Sequence, residues 1–253
     1  MRVMSYNIKG QAALARGAHV ERIAEVIREA HPDIAGLQEV HRNTWQSRFT
    51  DQAAELERLT GMTLVFGPSL GKGERQYGNA ILTRGRVIDS RVEPLPGRGE
   101  PRTLIDATIE LDGLCLHAYV THLAAWGRLG ARTRLMQAEA VARLISKSDL
   151  PFILTGDFNS NPSSNELRVF QGGGLVTSCF TDVATHRATR QCLDSIFVDR
   201  GWQIRNAQVL TRGPSDHWPL VAEIERPSPG ASRHPLPQAG EGTREPSPRA
   251  SGG

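Results

Sequence analysis

Short apolar runs separated by polar turns dominate the chain, and several end in residues that ionise or donate hydrogen bonds. Arg2–Tyr6 predicts a first strand. Val20, Ile23, Ala24, Ile27 and Ala30 recur at the spacing of one helix face, predicting an amphipathic helix over Val20–Ala30 that His31-Pro32 stops. Asp33–Gln38 is apolar with little alternation, the mark of a buried strand. Gln52–Thr60 predicts a second helix, with Gly61 placed to close its last turn. Thr63–Phe66 reads as a short strand, and the glycine-rich, charged Pro68–Tyr77 as a flexible surface loop. Asn79–Thr83 and Val87–Glu93 follow as strands.

Thr103–Leu111 and Leu114–Thr121 flank Asp112-Gly113, a strong signal for a two-residue hairpin. Leu135, Ala138, Ala142 and Ile145 predict a helix over Ala131–Ser146. Pro151–Gly156 is a buried strand, and Ser163-x-x-Glu166 predicts a capping box opening a short helix through Phe170. Ser195–Val198, Gln203–Leu210 and Leu220–Glu225 are the last strands. Strands outnumber helices and a hairpin is present, which argues against a doubly wound parallel sheet. One-sided helices must cover sheet faces, so the expected architecture is a four-layer α/β/β/α sandwich of two mixed, largely antiparallel sheets. Strand ends of both sheets then meet at one rim. Residues 1–226 form this domain. From Pro227 the chain is rich in Pro, Gly, Ser and Arg with almost no large apolar residue, so residues 227–253 are expected to be a disordered tail. No internal repeat is visible.

Of 253 residues, 39% are hydrophobic, enough for a real core. A formal net charge of +3 is too small to argue for nucleic acid by electrostatics alone. Cys115, Cys179 and Cys192 are odd in number and lack CxxC spacing, which excludes a disulfide framework and a thiolate zinc site. Cys115, between two leucines, is expected in the core. The first strand begins at once, leaving no room for a signal peptide, and no apolar stretch approaches the about 20 residues of a membrane helix. The expectation is a cytoplasmic monomer.

The chemistry lies where apolar runs stop. Asn7 follows the first strand, Glu39 the second, Asp157 and Asn159 the run Phe152–Thr155, and Asp216-His217 comes near the end of the folded region. Hard oxygen ligands and a histidine held at strand ends are what metal-assisted phosphate hydrolysis requires. Alone, each has a plainer reading. Asp157 and Asn159 suit a turn, Glu39 a solvated strand end, and Arg102 a surface ion pair. Asp194, inside an apolar strand, needs a partner for its carboxylate. His19, His31, His41, His117, His186 and His234 have no supporting pattern, and Lys72, Arg75, Arg128, Arg132 and Arg134 read as solvated charge.

Taken in order, Ser5-Tyr6-Asn7-Ile8, Leu37-Gln38-Glu39-Val40, Gly156-Asp157-Phe158-Asn159 and Ser215-Asp216-His217 resemble the endonuclease/exonuclease/phosphatase superfamily of deoxyribonuclease I-like metal-dependent phosphoesterases. Tyr77–Leu82, Thr121-His122-Leu123 and Leu193–Phe197 fall between them at matching places. The resemblance covers about residues 1–225 and implies the same sandwich. It implies that Glu39 and Asn7, with Asp216 directly or through water, hold Mg²⁺, for which Mn²⁺ can substitute. It gives Asp157 the attacking water, Asn159 a phosphate oxygen, and His217 the scissile phosphate as general base or charged clamp. Asp194 would orient His217. His122, Arg102 and Asn79 would contact phosphate or leaving group. Lys9 departs from relatives that carry an acid there, and Ala118–Thr121 lacks a His-Thr-His pattern. The implied activity is hydrolysis of a phosphate diester by in-line water attack, nuclease-like. The alternatives are a lipid or head-group phosphodiesterase of the glycolipid-anchor-related branch, and a catalytically silent scaffold.

Overall fold

The computed structural model describes residues 1–10, 19–125, 128–172, 176–177, 181 and 183–225. In chain order the elements are β1 (Arg2–Asn7), α1 (His19–Ala30), β2 (Ile34–Arg42), α2 (Gln52–Thr60), β3 (Thr63–Lys72), β4 (Arg75–Thr83), β5 (Arg86–Pro94) and β6 (Thr103–Leu111). There follow β7 (Leu114–His122), α3 (Arg128–Ile145), β8 (Phe152–Asp157), α4 (Asn165–Gly172), β9 (Val176–Thr177), β10 (Asp194–Val198), β11 (Gln203–Val209) and β12 (Leu220–Glu225).

The strands form two six-stranded sheets, ordered β11-β12-β1-β2-β4-β3 and β5-β6-β7-β8-β10-β9. Each sheet centres on one parallel pair, β1–β2 or β7–β8, with antiparallel neighbours on both sides. The two halves therefore share one plan that no sequence repeat announces. Alternation explains the layering, because successive strand residues point to opposite faces. Val3, Ile34, Ile153 and Ile196 point into the cluster between the sheets. Their neighbours Met4 and Ala35 pack instead under α1 and α2. Leu154 and Phe197 pack under α3 and α4. Three apolar layers make four layers of structure, the expected α/β/β/α sandwich. The central strands read as continuous apolar runs because both of their faces are covered. The sheets approach closely at Gly36, where an added Cβ would lie 1.9 Å from Thr155 Oγ1.

Local signals came out well at both turns. Asp112 and Gly113 sit at φ 50 and 72, the paired left-handed values of a type I′ hairpin. Gly61 is left-handed at φ 68, and its N–H caps Glu57 O. Four expectations need correction. Pro68–Tyr77 is not a loop, because β3 and β4 stay paired to Lys72↔Arg75 around Gly73-Glu74. This hairpin end is exposed, so no apolar pattern marked it. Helix α4 starts at Asn165, with Ser164 Oγ accepting from Leu167 N at 3.4 Å, so Ser163 is not its cap. Glu166 instead meets Arg134 Nε at 3.2 Å, which makes Arg134 a buried partner between α3 and α4 rather than solvated charge. Cys115 is half-buried and lies outside the apolar clusters. Cys179, His234 and the tail over residues 227–253 lie outside the described residues.

Candidate active site

The ends of β1, β2, β7, β8 and β10 meet at one rim. Register brings them together: Asn7 pairs with Gln38, His122 with Asp157, and Asp157 with Asp194. A bulge between Leu37 and Val40 lifts Glu39 out of the β2 ladder. Glu39, Lys9 and Asn159 all hold left-handed backbone, at φ 60, 44 and 49. Such conformations cost about 1–3 kcal/mol each in non-glycine residues and persist where tertiary contacts enforce them.

Asn7 lies at the centre. Its Nδ2 donates to Glu39 Oε1 and Asp157 Oδ2, both at 3.0 Å, and its Oδ1 accepts from Lys9 N at 3.0 Å. Asp157 Oδ1 accepts from Asn159 N at 2.9 Å. Asp194 Oδ2 stands 2.8 Å from His217 Nδ1, which must carry the proton because the carboxylate only accepts. The other ring nitrogen, Nε2, lies 3.6 Å from Asp157 Oδ2. Ser215 holds this segment in place, donating to Asn7 O at 2.7 Å and accepting from His217 N at 3.1 Å.

A second string runs from Arg102 through His122 to Asn159. Arg102 Nη1 faces His122 Nδ1 at 2.9 Å and Asn159 Nδ2 faces Nε2 at 3.1 Å; both are donors, so the neutral ring accepts from one of them only. Nε2 also lies 3.5 Å from Asp157 Oδ2, and Asn159 Nδ2 donates to Leu123 O at 3.2 Å. Arg102 is buried, and its Nε has no protein partner among the described residues. Asn79 stands apart from these strings, donating to Thr103 O at 3.4 Å.

The electrostatics separate the groups. Burial pushes Asp157 up to about 7, assisted by the Asp194 charge. Burial disfavours a charged His217, but Asp194, Asp157 and Asp216 together outweigh it and push the ring up to about 10. Burial, then the Arg102 and His217 charges, hold His122 well below the usual histidine range, so it is neutral. Burial also raises Glu39. Asp216 is only partly buried. Desolvation there is outweighed by Lys9, whose ammonium sits on Oδ2, and the carboxyl is held below its ordinary value.

Two groups of side chains have metal-ligand proximity among the described residues: Asp157, Asp194 and His217, and His186, Asp216 and His217. Glu39 belongs to neither, and its carboxylate accepts from the Asn7 side chain. His186 is the neighbour that sequence reasoning missed. It bridges His217 through the backbone, its ring lies 4.7 Å from the His217 ring, and its Nε2 is 3.9 Å from Asp216 Oδ2. No local pattern marked it, because the contact is made across the fold.

The family model described as the Endonuclease/Exonuclease/phosphatase family matches residues 4–217. Protein cwh43 of Schizosaccharomyces pombe is 27% identical over 145 residues, 57% of this chain but only 14% of that protein. An endonuclease/exonuclease/phosphatase from Beutenbergia cavernae superposes with a TM-score of 0.75 at 24% identity, covering 90% of this chain and 72% of its own. The human nocturnin catalytic domain, solved with bound sulfate, superposes with a TM-score of 0.70 at 25% identity, covering 89% and 93%.

Proposed function

This chain belongs to the endonuclease/exonuclease/phosphatase family of metal-dependent phosphoester hydrolases, and from that premise we propose that it hydrolyses a phosphate diester with Mg²⁺. The observation that carries the reading is the Asp194–His217 pair at 2.8 Å, with the free side of the ring turned to Asp157.

Paired groups whose surroundings drive their pKa values apart divide acid and base roles between them. Asp157, near 7, is the group that takes a proton from the attacking water. His217, near 10, stays an imidazolium at neutral pH and donates its Nε2 proton to a phosphoryl oxygen. Asp194 keeps the other ring proton and fixes the ring plane. His122 contributes a neutral ring at the phosphate, and the Asn159 amide stands beside its Nε2 as a phosphate donor. Arg102, with its unpaired Nε, adds charge behind them. Asn79 supports the wall through Thr103.

The donor set suits a hard cation. Glu39 is a partly buried carboxylate with a single side-chain donor among the described residues, the Asn7 amide that adjoins it. Glu39 and Asn7 would hold Mg²⁺, with Asp216 as an outer ligand that shares its carboxylate with Lys9. The bound ion would neutralise phosphoryl charge and stabilise the leaving oxygen. Turnover of bis-p-nitrophenyl phosphate and p-nitrophenyl phosphate, with and without chelator, tests the proposal. Chelator-sensitive cleavage of the diester is expected. Monoester turnover alone, or turnover that His217→Ala leaves intact, would refute it.

A further inference from the structure

Beside this site, two surface turns hold apolar side chains in water. Residues 43–50, between β2 and α2, form a tightly bonded turn. Asn43 N donates to Thr50 O at 3.0 Å, Phe49 N to Thr44 O at 2.8 Å, and Arg48 N to Trp45 O at 2.9 Å. The buried Ser47 hydroxyl reaches both Thr44 O and Thr50 O, and an Arg42–Asp51 ion pair closes the base. Within it Asn43, Arg48 and Phe49 hold φ values of 51, 53 and 60. Left-handed backbone is a genuine outlier for a bulky aromatic residue. Yet Trp45 and Phe49 are 72% and 59% exposed. A well-bonded, strained turn that displays two aromatic rings gives nothing to the core.

The tip of the β3–β4 hairpin completes the surface. Leu70 pairs with Tyr77 and Lys72 with Arg75, so these four side chains share one face. That face meets the turn: the Arg75 guanidinium covers the Phe49 ring at 5.6 Å, and the Tyr77 ring packs on His41 at 4.7 Å. Asn43 Nδ2 also donates to Glu74 O at 3.3 Å. Leu70 is 49% exposed, and Arg48, Lys72 and Arg75 are exposed as well. At its inner end the surface reaches the catalytic rim, because Tyr77 lies within the electrostatic influence of Glu39 and Arg102.

We propose that this surface docks the enzyme on an anionic lipid bilayer, with Trp45, Phe49 and Leu70 entering the interface and Lys72 and Arg75 meeting lipid phosphates. The substrate class is then a phosphodiester in a lipid head group, which rests on the phosphodiesterase reading above. Exposed Trp and Phe beside Lys and Arg are the composition that partitions to the head-group zone. The charge complements anionic lipid. Nucleic acid fits less well. Single-strand binding stacks successive bases on aromatic faces, whereas here Arg75 covers one face of Phe49 and Leu70 offers none, which leaves Trp45 of the three.

Vesicle co-sedimentation of the full chain tests this, using phosphatidylcholine with and without phosphatidylglycerol. Binding to the anionic vesicles is expected, weakening as salt rises. The charge reversal Lys72→Glu with Arg75→Glu should weaken it by at least about thirtyfold, the combined contribution of two interfacial cations. Trp45→Ala with Phe49→Ala should lower binding and turnover of vesicle lipid. Its melting temperature and cleavage of soluble bis-p-nitrophenyl phosphate should match the parent, since both rings are outside the core. Equal sedimentation with neutral and anionic vesicles, or equal binding by parent and variants, overturns the proposal. So does tight binding of a single-stranded oligonucleotide that the same variants abolish. If the parent binds vesicles but cleaves no soluble diester, the phosphodiesterase reading fails and the docking surface stands.

Discussion

Replacing Asp194 by Asn removes the carboxylate that stands 2.8 Å from His217 Nδ1. In the parent, burial works against the imidazolium, and the surrounding carboxylates, Asp194 foremost, still lift the ring from 6.5 to about 10. A rise of that size corresponds to about 5 kcal/mol in favour of the charged ring. Asp194 provides both the largest favourable charge and the hydrogen bond. Without it burial competes with Asp157 and Asp216 alone, and the ring should titrate in the neutral range. Turnover should fall by about 10²–10⁴, because both the charge and the orientation of the ring are lost. Stability follows the same shift. A raised folded pKa contributes stability that is fully present below the unfolded value of 6.5 and is lost as pH rises through about 10. The melting-temperature gap between parent and Asp194→Asn should therefore be widest near pH 6 and close toward pH 10. Ring NMR of metal-free protein reads the pKa directly, and calorimetry across pH reads the gap. Rates of both single variants and the Asp194→Asn/His217→Ala double variant read the coupling. Residues that act as a unit are non-additive, so the double variant should be little worse than His217→Ala. A variant ring that still titrates near 10, or rate losses that multiply, would refute the pairing.

Three further outcomes follow from the same geometry. Glu39→Gln should weaken Mg²⁺ binding at least tenfold in a calorimetric titration while leaving the fold intact, since one charge leaves a hard-cation site; an unchanged affinity removes Glu39 from the ligand set. Asp157→Asn should abolish turnover yet stabilise the metal-free protein at pH 8. Its carboxyl is raised by burial to about 7 from 3.8, so its ionised form costs the folded state stability that grows from pH 3.8 and is complete above 7; a lower melting temperature at pH 8 would contradict this. Truncation before Pro227 should leave melting temperature and activity unchanged, because the composition of residues 227–253 offers no core; a loss of several degrees would show that the segment packs on the domain.

The sequence determined whatever depends on neighbours within a few residues. Unalternating apolar runs marked strands buried on both faces, and Asp112-Gly113 and Gly61 named their turns, because the ease with which glycine and aspartate adopt left-handed backbone is a local property. The ends of apolar runs located Asn7, Glu39 and Asp157, and the resemblance joined His217 to them in one site. The tertiary structure decided the rest, because its causes lie far apart in the chain. Asn7 meets Asp157 across 150 positions and Lys9 meets Asp216 across 207, so the order of charges around the site is set by sheet register. The shifts on Asp157 and His217 arise from burial and from carboxylates on other strands, which no residue window contains. His186 becomes a neighbour of His217 only through a bridge between two loops. Arg134 looks like any exposed arginine until α3 and α4 enclose it with Glu166. The β3–β4 hairpin was hidden for a related reason. Ladder hydrogen bonds to β4 hold its exposed tip without apolar alternation, and that tip carries Leu70, Lys72 and Arg75 to the rim of the site.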